Sequence, residues 1–186
     1  MKIIKTKRLI LEELTKESFI ILQEKPIKEQ LAFFNINESD GHEEFYSIAN
    51  KEALDTKIKR IKASWDSSLH FVMKDKETEL VIGHCGFYRW FKDHRRSEIG
   101  YILNKEYRKK GLVREAVNEL LEYGFNELNI NRMEAIVEPS NIDSVNVIKP
   151  FGFHIEGLLR QHYISKGRIT DSMMFSLLKE DWEAKK

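Results

Sequence analysis

The segment Tyr107-Arg-Lys-Lys-Gly-Leu-Val-Arg-Glu115 carries the residue types and spacing of an anion site, with Arg108, Lys109 and Lys110 set immediately before Gly111. Glycine permits a tight backbone turn, and a helix starting beside it exposes amides that lack intrahelical partners. Such a helix start attracts phosphate through its N–H groups and its dipole, each charge contact contributing about 0.3–1 kcal/mol. A solvated basic turn is the ordinary alternative. Against it, cations at the positive end of a helix are unfavourable without an anion, and the Arg-x-x-Gly-x-small spacing aims successive amides at one point. Neither G-x-x-x-x-G-K-[ST] nor G-x-G-x-x-G occurs, so the cradle is neither a P-loop nor a Rossmann turn. His42, His70, His84, His94, His154 and His162 show neither H-E-x-x-H nor paired metal spacing, and no metal is expected. Cys85, between His84 and Gly86 in an apolar run, has no helix start or cation to activate it and reads as a packed thiol.

The elements around this cradle follow from periodicity. Arg8–Glu12 reads as a short strand, and Thr15 caps a helix through Phe19 and Leu22. Residues 27 to 66 read as broken helix: Leu54, Ile58, Ile61 and Trp65 hold one stripe, Phe45, Ile48 and Ala49 another, and Asn35–Gly41 is a loop by composition. Strands are expected at Leu69–Met73, Leu80–Tyr88 and Ser97–Leu103, with turns at Lys74–Glu79 and Lys92–Arg96. From Gly111 a helix puts Val113, Ala116, Val117, Leu120, Leu121, Gly124 and Leu128 on one face. A strand at Met133–Glu138, a short helix at Asn141–Lys149, extended structure from Gly152 and a hairpin turning at Ser165–Arg168 complete the order. This is an α/β (α+β) chain built on one mixed sheet.

Composition bounds the rest. The chain has 186 residues, hydrophobic 41% and charged 33%, three prolines and no visible repeat, which fits one domain over 1–186. Eighteen uninterrupted apolar residues occur nowhere, so no spanning helix and no membrane partner are expected. Charges run through the apolar stretch of MKIIKTKRLILEEL with no small-residue cleavage site after it, so a secretory signal is not expected. A single cysteine excludes an internal disulfide and fits a reducing, cytoplasmic setting. A formal charge of +1 supplies no field for nucleic acid.

Arg108-Lys-Lys-Gly111-Leu-Val113 resembles the [Q/R]-x-x-G-x-[G/A] pyrophosphate loop of the GNAT N-acetyltransferases, which bind acetyl-coenzyme A. Glu98–Leu103 followed by Lys110–Ala116, Asn141-Ile-Asp-Ser144 and Phe151-Gly-Phe153 resemble the RimJ/RimL branch of ribosomal-protein N-terminal acetyltransferases. Thr6–Leu11 and the C-terminal Asp171, Phe175–Leu178 and Trp182 fit the same branch. Val113 departs from the pattern, standing where the family prefers Gly or Ala, and a β-branched side chain there crowds the cofactor. The resemblance implies a mostly antiparallel central sheet of about seven strands flanked by helices, with two splayed strands forming the acetyl-CoA cleft.

It also implies roles. Tyr101, Ile102 and Leu103 would offer backbone groups to the pantetheine, and Arg108, Lys109, Lys110, Gly111, Leu112 and Val113 would hold the pyrophosphate. Asn141 would hydrogen-bond the pantetheine arm; the local alternative is a helix cap with Ser144 three residues on. The reaction implied is direct attack of a neutral amine on the thioester in a ternary complex. At pH 7 an α-amine costs about 1–1.4 kcal/mol to deprotonate and a lysine roughly 4.6, so a protein or peptide N-terminus is the easier acceptor. Glu98 shares a strand face with Gly100 and Ile102, where apolar surroundings raise a carboxyl pKa, and is the candidate base, directly or through water. The alternatives for Glu98 are an ion pair with Arg95 or Arg96, or an exposed strand end. Where many members place a thiolate-protonating Tyr this chain has Ile148; Ser144 matches the branch's serine near the sulfur, and Glu138 is a weaker alternative for either proton. Glu38, Asp40, Glu43 and Glu44 form an acidic patch that draws in a cationic acceptor or merely begins a helix. Trp90 and Phe91, placed in a turn, line the acceptor mouth, a dimer contact or the rim. A small-molecule amine such as a polyamine, amino acid or antibiotic, and a silent acyl-CoA-binding domain, are the alternative functions; a monomer or homodimer is expected.

Overall fold

The computed structural model describes residues 1–25, 30, 33, 43–165 and 167–186, and the side chains of residues 43–51 and 165 lie outside that description. Two compact units emerge, Met1–Gly86 with Tyr101–Leu112, and Phe87–Gly100 with Val113–Lys186.

The first unit begins with β1 (Ile3–Lys5) and β2 (Leu9–Glu13), paired antiparallel with Ile4 opposite Leu11. Leu9 and Leu11 are fully buried while Ile10 and Glu12 are not, the alternation expected of a half-buried strand. Thr15 caps α1 (Lys16–Glu24) through a capping box: its hydroxyl accepts from the Ser18 amide at 3.2 Å, and its own amide donates to Ser18 Oγ at 3.0 Å. Phe19 and Leu22 of α1 bury against Leu14 and Leu54, with Ile58, Ile61 and Trp65 packed alongside. The Leu54–Trp65 stripe is thus the core face of α2 (Glu43–Ser64), which runs on into the 3-10 turn Trp65–Ser67. The Asn35–Gly41 loop, and the side chains of Phe45, Ile48 and Ala49, lie outside the described residues. β3 (Leu69–Asp75) then pairs antiparallel with β2, Met73 opposite Leu11. The near half of β4 (Val81–Phe91) and the far end of β5 (Arg96–Leu103) complete the unit.

In the second unit α3 (Leu112–Asn126) buries Ala116, Val117, Leu120 and Leu121 completely, as its apolar stripe predicts, and also Phe125, which that stripe leaves out. Leu128, expected on that stripe, follows the end of the helix. β6 (Arg132–Val137) and β8 (Arg168–Leu178) pair antiparallel, placing Met133 opposite Leu177 and Ala135 opposite Phe175. Between them come α4 (Ile142–Ile148) and β7 (His154–Ser165), the latter forming the predicted hairpin with Ser165 opposite Arg168. A short α5 (Lys179–Glu183), without a sequence signal, buries Trp182 against Phe125 at 5.0 Å between ring centroids.

Among the described residues the strands join in the order β1-β2-β3-β4-β5-β6-β8-β7, eight rather than about seven. The three-residue β1 is too short to show a period. Trp90 and Phe91 belong to β4 rather than to the following turn. β5 and β6 pair in parallel at Arg96–Arg132, Ser97–Met133 and Glu98–Glu134. There the ladder stops, although β5 runs to Leu103 and β6 to Val137.

Candidate active site

The basic segment becomes a structured loop in the first unit. A 3-10 turn at Lys105–Tyr107 follows β5, and Arg108 Nε donates back to the Leu103 carbonyl at 2.9 Å. The first cation is thereby tied to the end of the strand, and one of the backbone groups assigned to the pantetheine is engaged. Lys109 and Gly111 both take left-handed φ, +60° and +76°. A Cβ on Gly111 would lie 3.7 Å from the Arg8 guanidinium, an ordinary contact, so it is the backbone conformation that requires glycine. Turns with left-handed residues converge successive amides into anion-binding concavities. Lys110 Nζ lies over the Tyr107 ring at 5.3 Å. Leu112, 5% exposed, anchors the helix start, and Val113 beside it is half-buried.

Arg8 is a residue that sequence reasoning missed. Its Nη1 donates to the Lys110 carbonyl at 2.9 Å, bringing a fourth exposed cation to the loop from 102 residues away. No spacing rule links positions so far apart. Four cations, two left-handed residues and the first amides of α3 are the donor set a diphosphate calls for, so these residues fit the acetyl-coenzyme A that the loop motif implies.

In the second unit Glu98 is half-buried on β5, on the face opposite the buried Ser97 and Ile99. Its carboxylate accepts from Arg89 Nη2 rather than from Arg95 or Arg96. Arg95 instead grips Asn129, at 3.0 Å to its carbonyl and 2.8 Å to its side-chain oxygen, and Arg96 pairs with Glu134 at 3.0 Å. The parallel register explains the second case, since Arg96 lies two residues before Glu98 on the same face, beside β6. Arg89, also unanticipated, holds φ +47° inside β4, a strained conformation for a residue with a Cβ, and strain of this kind clusters at functional sites. A left-handed residue breaks the two-residue alternation, so period reading assigns it no direction.

Burial pushes the Glu98 carboxyl above its ordinary value; Arg89 opposes this, the Glu134 carboxylate adds to it, and His162 opposes it weakly. Burial prevails over the ion pair, giving the raised carboxyl that strand alternation led us to expect. Glu134, 7% exposed, is itself spanned by Arg96 and by Arg132 at 2.9 Å. On the same face Gly100 accommodates the Tyr88 ring, which a Cβ would approach to 2.7 Å.

Asn141 and Ser144 come together as a cap: Asn141 Oδ1 accepts from the Ser144 amide at 3.1 Å. Asn141 is exposed and Ser144 half-buried. Ile148 is fully buried, and an isoleucine offers no proton in any setting. Glu138 is exposed and accepts from the Ser140 hydroxyl at 2.8 Å. Tyr101 is half-buried, Ile102 is exposed and Leu103 is buried. Trp90 is half-buried with Lys92 Nζ 4.7 Å above its ring. Glu38 and Asp40, and the side chains of Glu43 and Glu44, lie outside the described residues. Cys85 is completely buried, which pushes its thiol pKa up and makes it a poor nucleophile.

Residues 8–154 match the Acetyltransferase (GNAT) domain family. The chain belongs to the GNAT acetyltransferase family. It is 48% identical over 107 residues to the uncharacterized N-acetyltransferase p20 of Bacillus licheniformis, an alignment spanning 58% of this chain and 60% of that relative. The GNAT fold recurs in the spermidine/spermine N-acetyltransferase SpeG of Vibrio cholerae, at a TM-score of 0.67 and 22% identity over 96% of this chain and 99% of the other. It recurs likewise in the ribosomal-protein-S5-alanine acetyltransferase of Vibrio fischeri, at 0.67 and 22% over 98% and 99%. The match supports the part of the resemblance that names the superfamily; the two structural neighbours act on different kinds of amine and do not single out one branch.

Proposed function

We propose that this chain works as one acetyltransferase domain that moves an acetyl group from acetyl-CoA to an amine by direct attack within a ternary complex. Bound acetyl-CoA supplies the activated acyl thioester. Arg8, Arg108, Lys109 and Lys110, with the amides from Gly111 to Val113, neutralise and orient its diphosphate. Backbone groups of Tyr101 and Ile102 and the Asn141 side chain hold the pantetheine arm. Glu98 takes the proton of the attacking nitrogen, and the Ser144 hydroxyl donates to the departing thiolate. A thiol near pKa 8.5 leaves readily, so a weak donor at Ser144 suffices with Ile148 in the family's tyrosine position.

The observation that carries this reading is Glu98, a half-buried carboxyl that burial raises and the Arg89 guanidinium holds by an ion pair. A positioned carboxylate serves best the amine that costs least to deprotonate at pH 7, which favours the N-terminal α-amine of a protein or peptide. The second reading is a polyamine acceptor, supported by the likeness to the Vibrio cholerae spermidine/spermine enzyme. Thiol release from acetyl-CoA, measured with an N-terminal alanine peptide, an N-blocked lysine peptide and spermidine, separates them. The peptide with its α-amine intact should react fastest. Faster release with spermidine overturns the peptide assignment, and binding without release under every acceptor overturns catalysis.

A further inference from the structure

The parallel pairing of β5 with β6 sets two Arg-x-Glu tripeptides side by side, Arg96-Ser97-Glu98 against Arg132-Met133-Glu134, with Arg96 opposite Arg132 and Glu98 opposite Glu134. Ser97 and Met133 are fully buried, so both arginines and both glutamates stand on the other face of the strand pair. The two tripeptides pair differently. Arg132 Nε donates to Glu134 Oε1 at 2.9 Å, two positions along its own strand. Arg96 does not take Glu98, the carboxylate at the same spacing, but crosses to Glu134 Oε2 at 3.0 Å. Residues two apart in a strand are separated by about 6–7 Å, a span that Arg132 shows an arginine to cover. Glu134, 7% exposed, therefore has both oxygens engaged. Glu98 keeps one oxygen open: Arg89 donates to Oε2, and no other described residue donates to its carboxylate. Arg132 is fixed from its far side as well, with Nη1 donating to Glu156 Oε1 at 2.9 Å, while Glu156 accepts from the Ser176 hydroxyl. Among the described residues Arg96 has no second carboxylate; its guanidinium lies 4.2 Å from the Phe91 ring centre, a contact that leaves its N–H groups to Glu134.

We propose that Glu134 is a positioning residue for acetyl transfer: it holds Arg96 across the strand pair and so keeps Glu98 Oε1 open to the proton of the attacking amine. The inference rests on the reading of Glu98 as the base. A carboxylate gripped on both oxygens by guanidinium groups is a weaker base and has less room for an incoming N–H. As the N–C bond forms and the C–S bond breaks, the excess proton on nitrogen passes to Glu98 Oε1, and the thiolate takes a proton from Ser144 or water. Glu134 and Arg96 exchange no proton. A half-buried arginine deprived of its partner turns to the next carboxylate within reach, because a buried charge left uncompensated is costly. For Arg96 that carboxylate is Glu98.

The test uses the full chain with acetyl-CoA and whichever of the alanine peptide, lysine peptide and spermidine reacts fastest. Glu134→Gln leaves one side-chain oxygen, enough for one arginine, and since Arg132 is also anchored by Glu156 it is Arg96 that is released. In this variant kcat should fall at least tenfold with acetyl-CoA KM in place. Adding Arg96→Met should return kcat to within threefold of wild type, a rescue that simple loss of structure does not give. A double variant as slow as Glu134→Gln overturns the proposal, as does a wild-type kcat in Glu134→Gln beside a slow Glu98→Gln. In the Glu98→Gln background Glu134→Gln should cost nothing further, and an additional tenfold loss there overturns the route through Glu98. Glu98→Gln at the wild-type rate overturns the base itself and the inference with it. If Glu134→Gln does not fold, a crystal of the wild type with CoA and the amine decides. Arg96 should remain on Glu134 with the amine nitrogen within hydrogen-bond distance of Glu98; an Arg96 guanidinium on Glu98 overturns the proposal.

Discussion

Arg89 reaches the carboxylate of Glu98 from within β4, in a backbone conformation it holds at φ +47°. The ion pair therefore opposes the rise that burial imposes on the candidate base, and its removal has a definite sign. Without the guanidinium, burial and Glu134 act on Glu98 unopposed by it and the carboxyl rises further. Arg89→Met should shift the acid limb of the kcat/KM profile to higher pH, and Arg89→Lys should largely preserve it. A limb that stays in place in Arg89→Met removes Glu98 from the profile.

Glu98→Gln should lower kcat about 10²-fold or more, the usual contribution of a positioned base. A carboxyl raised in the folded state stabilises the fold below its unfolded pKa, and that contribution is lost as pH rises through the folded value. At pH 7 the neutral glutamine should consequently melt no lower than wild type. Calorimetry on the pair checks this, and a clear drop in Tm for the variant contradicts it.

The diphosphate loop makes two separable demands. Gly111→Val places a β-branched residue at φ +76° and should weaken CoA binding at least tenfold in titration calorimetry. Arg8→Ala keeps the loop backbone and removes one charge, so a two- to fivefold loss, about 0.3–1 kcal/mol, is expected. An equal CoA affinity in both variants and the wild type places the diphosphate elsewhere.

Asn141 both caps α4 and is assigned to the pantetheine, and one substitution separates the two tasks. Asn141→Asp retains the oxygen that accepts from Ser144 but loses the amide donor. It should keep the melting temperature and raise acetyl-CoA KM several-fold, whereas Asn141→Ala should lower stability by about 1 kcal/mol as well. Wild-type KM in Asn141→Asp would leave the cap as its whole role.

His70 and His84 in the first unit have pKa values lowered from 6.5 to about 4 by burial. His84 also donates from Nε2 to the Phe33 carbonyl, which opposes the shift without cancelling it. Between those values the unfolded chain binds more protons than the folded one. Stability is then complete above about pH 6.5 and falls toward pH 4, by up to about 3 kcal/mol for each ring. His84→Gln should flatten the decline in Tm across that interval; an unaltered slope excludes His84 as its source.

The sequence made visible what depends on local period and local chemistry. The stripe of α3, the Thr15 cap, the hairpin at Ser165–Arg168, the loop at Gly111 and the burial that raises Glu98 all follow from neighbouring residues. Hidden were the partners chosen by tertiary folding. Arg8 meets Lys110 across 102 residues, and Arg89 takes Glu98 while Arg95 and Arg96 are claimed by Asn129 and Glu134. Hidden too was the bulge at Gln161, where residues 160–162 of β7 stand against Asp171 alone, because it depends on a contact made across the hairpin.

That bulge has a further effect, because β7 is the outermost strand of its sheet. An uninterrupted outer strand offers a row of unpaired amides and carbonyls on which another chain can grow a fibril. β7 carries exposed Ile155, Leu158 and Ile164, a composition that would invite such growth, yet its register slips between Ile155 and Gly157 and again between Leu159 and Tyr163. Each slip bends and twists the backbone, so no long flat template is presented. Straightening this strand by deleting Gln161 should therefore shorten the lag before aggregation.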